Sequence, residues 1–426
     1  MDPLIQNLMT VGALPTADRL YYGHPSVLAL PGGRILLSVD HLGPDVRNLP
    51  GLKGRFADTN HWLQGRLYAS ADEGQTWTPK QEYPFCHACL FRDGQQIYLL
   101  GHRGSLVIMK SSDGGETWGK PADLAPKGGE TGLYADSPCS VLHANGNFHV
   151  PLLRAPPDPQ RRASPHSLAP VLMVAAEGTN LTSSKSWQWS EPAPTIEKLA
   201  PWEAVGGCGM PFFDVEPAKP GTDRNPRPWP LRPGWIEPHA LWIDDPRHAW
   251  HDASGRTVHI LAAADAHRAN LAALTKVVGQ ADGLWRVAQE TVPSGQRQLY
   301  LPLPGGNRKF HMLADRESKH YWLLSSQFRD SMARPAAAPG GRMVLPSERP
   351  QLLQLSFSSN LVDWVQAGWV AGTPADPLAE PTMDIRGRDL CVTALARDAT
   401  DPTNRQPKRL CFGLIRNFRN LLYGTG

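Results

Sequence analysis

Eight residues written twice constrain this chain more than any other feature. Residues 70–77 read SADEGQTW and residues 111–118 read SSDGGETW, sharing Ser-x-Asp-x-Gly-x-Thr-Trp with Trp77 and Trp118 41 residues apart. Each copy closes a run of strand character, RLYA at 66–69 and SLVIMK at 105–110. The residue types suit a hairpin tip. Asp72 and Asp113 accept bonds from N–H groups of their own turn, Gly74 and Gly115 supply the open φ, and Trp77 and Trp118 anchor the turn on the layer beneath. A hairpin recurring about every 40 residues is the signature of a stacked or radial β-repeat, typically a propeller blade.

Reading outward from these copies extends the pattern over the chain. HPSVLALPGGRILLSVD at 24–40, CHACLFRDGQQIYLLGH at 86–102 and SPCSVLHANGNFHVPLL at 137–153 are hairpin-like openings, the third with an Asn145-Gly146 turn. Worn copies of the octet end at Trp187, Trp285 and Trp364. The count is six. The expected fold is an all-β, six-bladed propeller forming one domain over 1–426, with blades at about 20–80, 84–122, 134–192, 235–290, 300–368 and 378–420. Residues 193–234, including NPRPWPLRPG, form a Pro-rich insertion of the kind that walls a site.

Composition agrees with many short strands. The 426 residues carry 41 Pro and 39 Gly, scattered, and their formal charge of +3 gives no case for nucleic acid. No apolar run is long enough to span a membrane. The start, MDPLIQNLMTVGALPTADR, lacks the basic opening and apolar core of a signal peptide, which leaves a cytoplasmic protein or a secreted one whose signal has been removed. Six Cys lie far apart except Cys86 and Cys89, so no disulfide framework is implied. Cys86-His87-Ala88-Cys89 is half of a zinc pattern without a second pair at ligand spacing. It reads better as a strand alternating Cys86 and Ala88 against His87 and Cys89. Neither metal nor cofactor is expected, and the chain is expected to be a monomer or a weak homo-oligomer.

In a propeller the innermost strands border the central channel, so ionisable residues at their starts are informative, because burial without a partner is costly. By blade these are His24, His87, Asp136, Glu237, Lys309 and Glu380. Any one of them also suits a loop or a satisfied core position; six at one point of a repeat are harder to dismiss.

The octets resemble the Asp-box of the sialidase (BNR-repeat) propellers, which are six-bladed. The blade pattern covers nearly the whole chain, but only the two octets are specific motifs. The resemblance implies an exo-acting glycoside hydrolase, and it implies roles for particular residues. Glu237 matches the conserved Glu of the fourth blade, Arg268 and Arg349 match two Arg that bind a substrate carboxylate, and Asp58 matches the acid/base Asp, with Asp45 and His61 as competitors. Two departures stand out. Gly23 replaces the first Arg of the family's arginine triad, and DPLAEPTMDIRG, in the last blade, holds no Tyr for the family nucleophile.

The remaining groups still allow chemistry. Arg268 and Arg349, with Lys309, would clamp a sugar carboxylate. Asp58 with Glu237, Glu380 or Asp384 would supply the two carboxyl groups that glycosidic cleavage needs. His24, His41, His61 and His87 crowd the same region as alternative acids or bases, with His87, Asp136 and Glu380 also placed to bind substrate. The expected activity is removal of a terminal acidic sugar, sialic acid foremost, from a glycan. Two alternatives are a lyase or glycosidase acting on uronic-acid or rhamnosyl-uronate linkages, and a non-catalytic carbohydrate-binding propeller.

Overall fold

A computed structural model describes residues 2–15, 19–56, 61–124, 134–136, 140–155, 168–196, 234–264, 270–291, 294–295, 297–328, 336–337, 343–344, 352–373, 376–397 and 406–424, with backbone alone for the short strands at 134–136, 336–337 and 343–344. The described chain is nearly all β, and six antiparallel sheets form the blades of a propeller. Blade one is built from Tyr21–Ala29, Ile35–Leu42, Trp62–Ser70 and Thr78–Tyr83, and blade two from Cys86–Asp93, Gln96–His102, Leu106–Ser111 and Ala122–Asp123. In blade three the first strand is broken into Tyr134–Asp136 and Leu142–Ala144, followed by Asn147–Arg154, Ala169–Ala176 and Gln188–Trp189. Blade four holds Ile236–Leu241, Thr257–Ala263, Leu271–Gly279 and Trp285–Ala288, and blade five Phe310–Asp315, His320–Gln327, Leu352–Ser358 and Val365–Ala371. The Pro-rich insertion lies outside the described residues except at its two ends.

Blade six closes the ring in a way the sequence reading did not anticipate. Its strands Leu378–Arg386, Asp389–Arg397 and Pro407–Ile415 come from the C-terminal part, but the fourth is Met9–Ala13, paired antiparallel with Pro407–Ile415. The N-terminal segment thereby covers what would be an open strand edge.

Each strand alternates, and the apolar faces meet between neighbouring blades. Leu36, Leu67, Tyr83, Leu99 and Val107 fill the seam between blades one and two. Tyr22, Leu37, Cys391 and Phe412 fill the seam where blade six meets blade one. Comparable buried clusters occupy every other seam.

The octet turns fold as their residues dictate. Asp72 accepts Thr76 N–H (2.9 Å) and Thr76 Oγ1 (2.6 Å), Ser70 Oγ accepts Gly74 N–H (2.8 Å), and the Trp77 indole donates to the Gly74 carbonyl (3.0 Å). Asp113, Thr117, Ser111, Gly115 and Trp118 repeat the set. Glycine is required twice over at Gly74: φ is +84°, and a Cβ would meet the Phe412 ring at 2.1 Å. The worn copies at Trp187 and Trp364 keep the indole bond to their own turn, to Leu181 and Leu361 carbonyls. Trp285 does not; its indole reaches Gln188 of blade three. Because each turn follows a third strand, which runs parallel to the first, all octets lie at the mouth where the first strands end.

Candidate active site

At the opposite mouth the first strands share a defect. The ladder slips between Gly23 and Ser26, Cys86 and Cys89, Ile236 and His239, and Ala379 and Thr382. The residue in each slip is left-handed: His24 (φ 49°), His87 (φ 54°), Glu237 (φ 48°) and Glu380 (φ 51°). A non-glycine residue held there costs about 1–3 kcal/mol and persists only where its surroundings over-determine it. Pro25, Pro238 and Pro381 follow three of the four. Proline has no N–H to place in a ladder, so a bulge is where a strand tolerates it. The bulge re-aims its side chain, and four blades use it to turn an imidazole or a carboxylate toward the centre.

These side chains meet. The His24 backbone N–H donates to Glu380 Oε2 at 2.7 Å, and the His24 and His87 rings lie 3.6 Å apart by centroid. Lys309, directly before the first strand of blade five, sets its ammonium 3.4 Å from Glu237 Oε2 and 3.9 Å from Glu380 Oε2. All three of those side chains are largely buried. One ammonium thus holds two carboxylates, from blades four and six.

Beneath His24 and His87 sits Asp40, on the second strand of blade one and wholly buried. Its carboxylate accepts the Tyr83 hydroxyl (2.9 Å), the His87 N–H (2.6 Å) and His24 Nδ1 (3.2 Å). His102, on the second strand of blade two, places Nε2 3.1 Å from His87 Nδ1 and 3.9 Å from Cys86 Sγ.

The electrostatics follow from burial and partners. Burial, the largest influence, works against a charge on His24, but the Asp40 bond and the Glu380 charge outweigh it and hold the imidazole above its ordinary value. Burial and then the charges of His24, His102 and Lys309 push His87 well below it, and burial with His24 takes His102 down to about 3. Glu380 is held below the usual carboxylate range: burial disfavours its charge, yet His24 and Lys309 prevail.

Of the residues singled out in the sequence, His24, His87, Glu237, Lys309 and Glu380 come together. Asp58, Arg268 and Arg349 lie outside the described residues, and of Asp136 only the backbone is described, at a slip in the ladder to blade three's second strand. His61 is exposed at the start of the third strand of blade one. Asp45 is drawn away by Arg19, which donates to it through both backbone and side chain. His41 is buried against Tyr22, and burial lowers it to about 4. Asp384 accepts the N–H groups of Ala29 and Ile385 at 2.7 and 2.9 Å, joining blade six to blade one. It lines a cavity of about 360 Å³ further along the channel, with Ser26, Cys89, Val141, His311 and Thr382.

One expectation is corrected. Residues 86–89 do not alternate, because the bulge at His87 leaves Cys86, Ala88 and Cys89 all buried. Sequence reasoning also missed Asp40, Tyr83 and His102. The signal for two of them was the hairpin register, since Asp40 pairs with Gly23 and His102 with Cys86.

No protein-family model and no curated protein matches this chain. Among solved structures it is similar to Trypanosoma rangeli sialidase in complex with 2,3-difluorosialic acid, with TM-score 0.51 and 12% identity over 94% of this chain. The chain spans 55% of that protein's length. It is similar over 97% of its length to the intramolecular trans-sialidase from Ruminococcus gnavus, solved with oseltamivir carboxylate (TM-score 0.51, 11% identity, 98% of that chain). Penicillium chrysogenum α-L-arabinanase, solved with arabinobiose, is matched at TM-score 0.50 and 12% identity, over 97% of this chain and 99% of that one. At these identities the likeness is one of fold.

Proposed function

We propose that the chain is an exo-acting glycoside hydrolase of sialidase type, removing a terminal acidic sugar, sialic acid foremost, from a glycan. The observation that carries this reading is the pair Glu237 and Glu380 held by one Lys309 ammonium at the channel mouth. Oxygens at 3.4 and 3.9 Å from a shared nitrogen lie at most about 7.3 Å from each other, short of the upper limit of roughly 9.5 Å for the carboxyl pairs of glycosidases. Glu380 stands on the first strand of the last blade, where the sialidase family carries its Tyr, and takes the part of nucleophile or base. Its charged form is favoured by His24 and Lys309, as that part requires. His24, backed by Asp40 in an Asp–His pair, is the proton donor to the leaving oxygen, with Asp58 as the other candidate. Arg268 and Arg349 are assigned to the substrate carboxylate, because Lys309 is already engaged by two glutamates. The propeller scaffold shared with sialidases and an arabinanase supports the class.

The test is a panel of sialosides, uronosides and arabinosides, with proton NMR of released sugar for wild type and Glu380→Gln. The proposal expects a released monosaccharide and a drop in kcat of at least about 100-fold in the variant. Full turnover by Glu380→Gln overturns the assignment. Binding without release, or an unsaturated uronate product, overturns the hydrolase in favour of a lectin or a lyase.

A further inference from the structure

We infer that Cys86, His87 and His102 form a binding site for one divalent ion of the zinc class, at the seam between the first two strands of blade two. Their three ligand atoms lie within 4.8 Å of one another. His87 Nδ1 and His102 Nε2 are 3.1 Å apart, and Cys86 Sγ is 3.9 Å from His102 Nε2. Zinc bonds of about 2.0–2.1 Å to nitrogen and about 2.3 Å to sulfur put tetrahedral neighbours about 3.3 Å apart for two nitrogens and about 3.6 Å for nitrogen and sulfur. Two of the three spacings are therefore within about 0.3 Å of those values, and the third pair, Cys86 with His87, has at most about 1.2 Å to close.

The arrangement is built rather than incidental. Cys86 and His102 are directly opposite each other in the ladder, so their side chains share one face of the sheet. His87, the next residue, belongs on the other face of a regular strand. The bulge and the left-handed backbone at His87 bring its ring back beside His102, with Asp40 fixing the His87 N–H from below. Without an ion the two imidazoles share one proton across the 3.1 Å gap. On binding, the thiol proton leaves to solvent and the shared proton moves to the other nitrogen of its own ring, so both imidazoles stay neutral, and one position of a tetrahedral ion remains beyond these three ligands. Thiolate and imidazole together select zinc over magnesium or calcium, which prefer oxygen.

The test needs no knowledge of the substrate and does not depend on the glycosidase reading. The full chain, stripped with chelator, is titrated with Co²⁺ and then Zn²⁺ while absorbance is followed. One saturating Co²⁺ per chain is expected, with a thiolate-to-cobalt charge-transfer band and the visible bands of a tetrahedral site, both abolished by stoichiometric Zn²⁺. Cys86→Ser loses the charge-transfer band, and His102→Gln weakens binding at least tenfold. Cys391→Ser, which alters a buried thiol of blade six, retains the wild-type spectrum. Absence of the charge-transfer band in the wild-type titration overturns the proposal even if a variant fails to fold, and so does its persistence in Cys86→Ser.

Discussion

Replacing Asp40 separates what its shape does from what its charge does. Asp40 is the pin between blades one and two: one buried carboxylate takes the Tyr83 hydroxyl, the His87 N–H and the His24 imidazole. Asp40→Ala leaves a hole facing donors that water reaches poorly. An orphaned buried donor costs about 1–3 kcal/mol, and removing one partner of a buried charged set about 3–5, so about 3–5 kcal/mol is the expected loss. Asp40→Asn keeps the shape. Its amide oxygen can take the position that serves His87 and His24, while its NH2 group meets the Tyr83 hydroxyl, which turns to accept. The loss there is about 1–2 kcal/mol, the difference between charge-assisted and neutral bonds. At about 2.1 cal/mol/K per residue, a chain of 426 residues shifts its Tm by only about 1 °C per kcal/mol. Urea midpoints are the more sensitive measure, together with amide exchange at His87, whose protection should fall furthest in Asp40→Ala. If Asn proves as damaging as Ala, or both stay within about 0.5 kcal/mol of wild type, Asp40 is not the pin described here.

Two further perturbations test the charged channel. Lys309→Met strips the shared counter-ion from Glu237 and Glu380; at an effective dielectric of about 20, each contact is worth at most about 4–5 kcal/mol. Because Glu380 is held below its ordinary value, its stabilisation is present above the unfolded carboxylate range and is lost as pH falls. The gap in urea midpoint between variant and wild type should therefore be wide at pH 7 and close in acid, and a gap that ignores pH counts against the pairing. Asp384 behaves oppositely. Burial pushes it up to about 6 despite two N–H bonds, so the folded chain keeps this proton while the unfolded chain has lost it, and stability falls from about pH 4 to about pH 6, by up to about 3 kcal/mol. Asp384→Asn should remove that slope, and parallel wild-type and variant profiles would show the group to be inert.

The fold was legible because one device repeats. The Ser-x-Asp and Thr-Trp spacing of the octets encodes a complete local hydrogen-bond set, and no distant residue is needed to read it. The closing strand was not legible. Met9–Ala13 is short, half-exposed and useful only beside Pro407–Ile415, about 400 residues away, so nothing local marks it. Trp285 shows the same limit on a smaller scale: its turn resembles the octets in sequence, yet the indole is captured by Gln188 of the neighbouring blade.

The site divides along the same line. His24, Glu237 and Glu380 were legible because each occupies the same point of the repeat and precedes a proline that only a bulge tolerates there. Asp40 and His102 stand opposite the slip, and only counting back through each hairpin reveals them. That count also shows why the site is lopsided. Opposite the slips in blades four and six stand Ala263 and Leu395, so those blades contribute only the bulged carboxylate. In blades one and two the facing position is polar, and a second layer of Asp40 and His102 forms under the imidazoles. His24 and His87 therefore rest on a second polar layer, whereas Glu237 and Glu380 are held by the Lys309 ammonium, and the two sets meet where Glu380 accepts the His24 N–H.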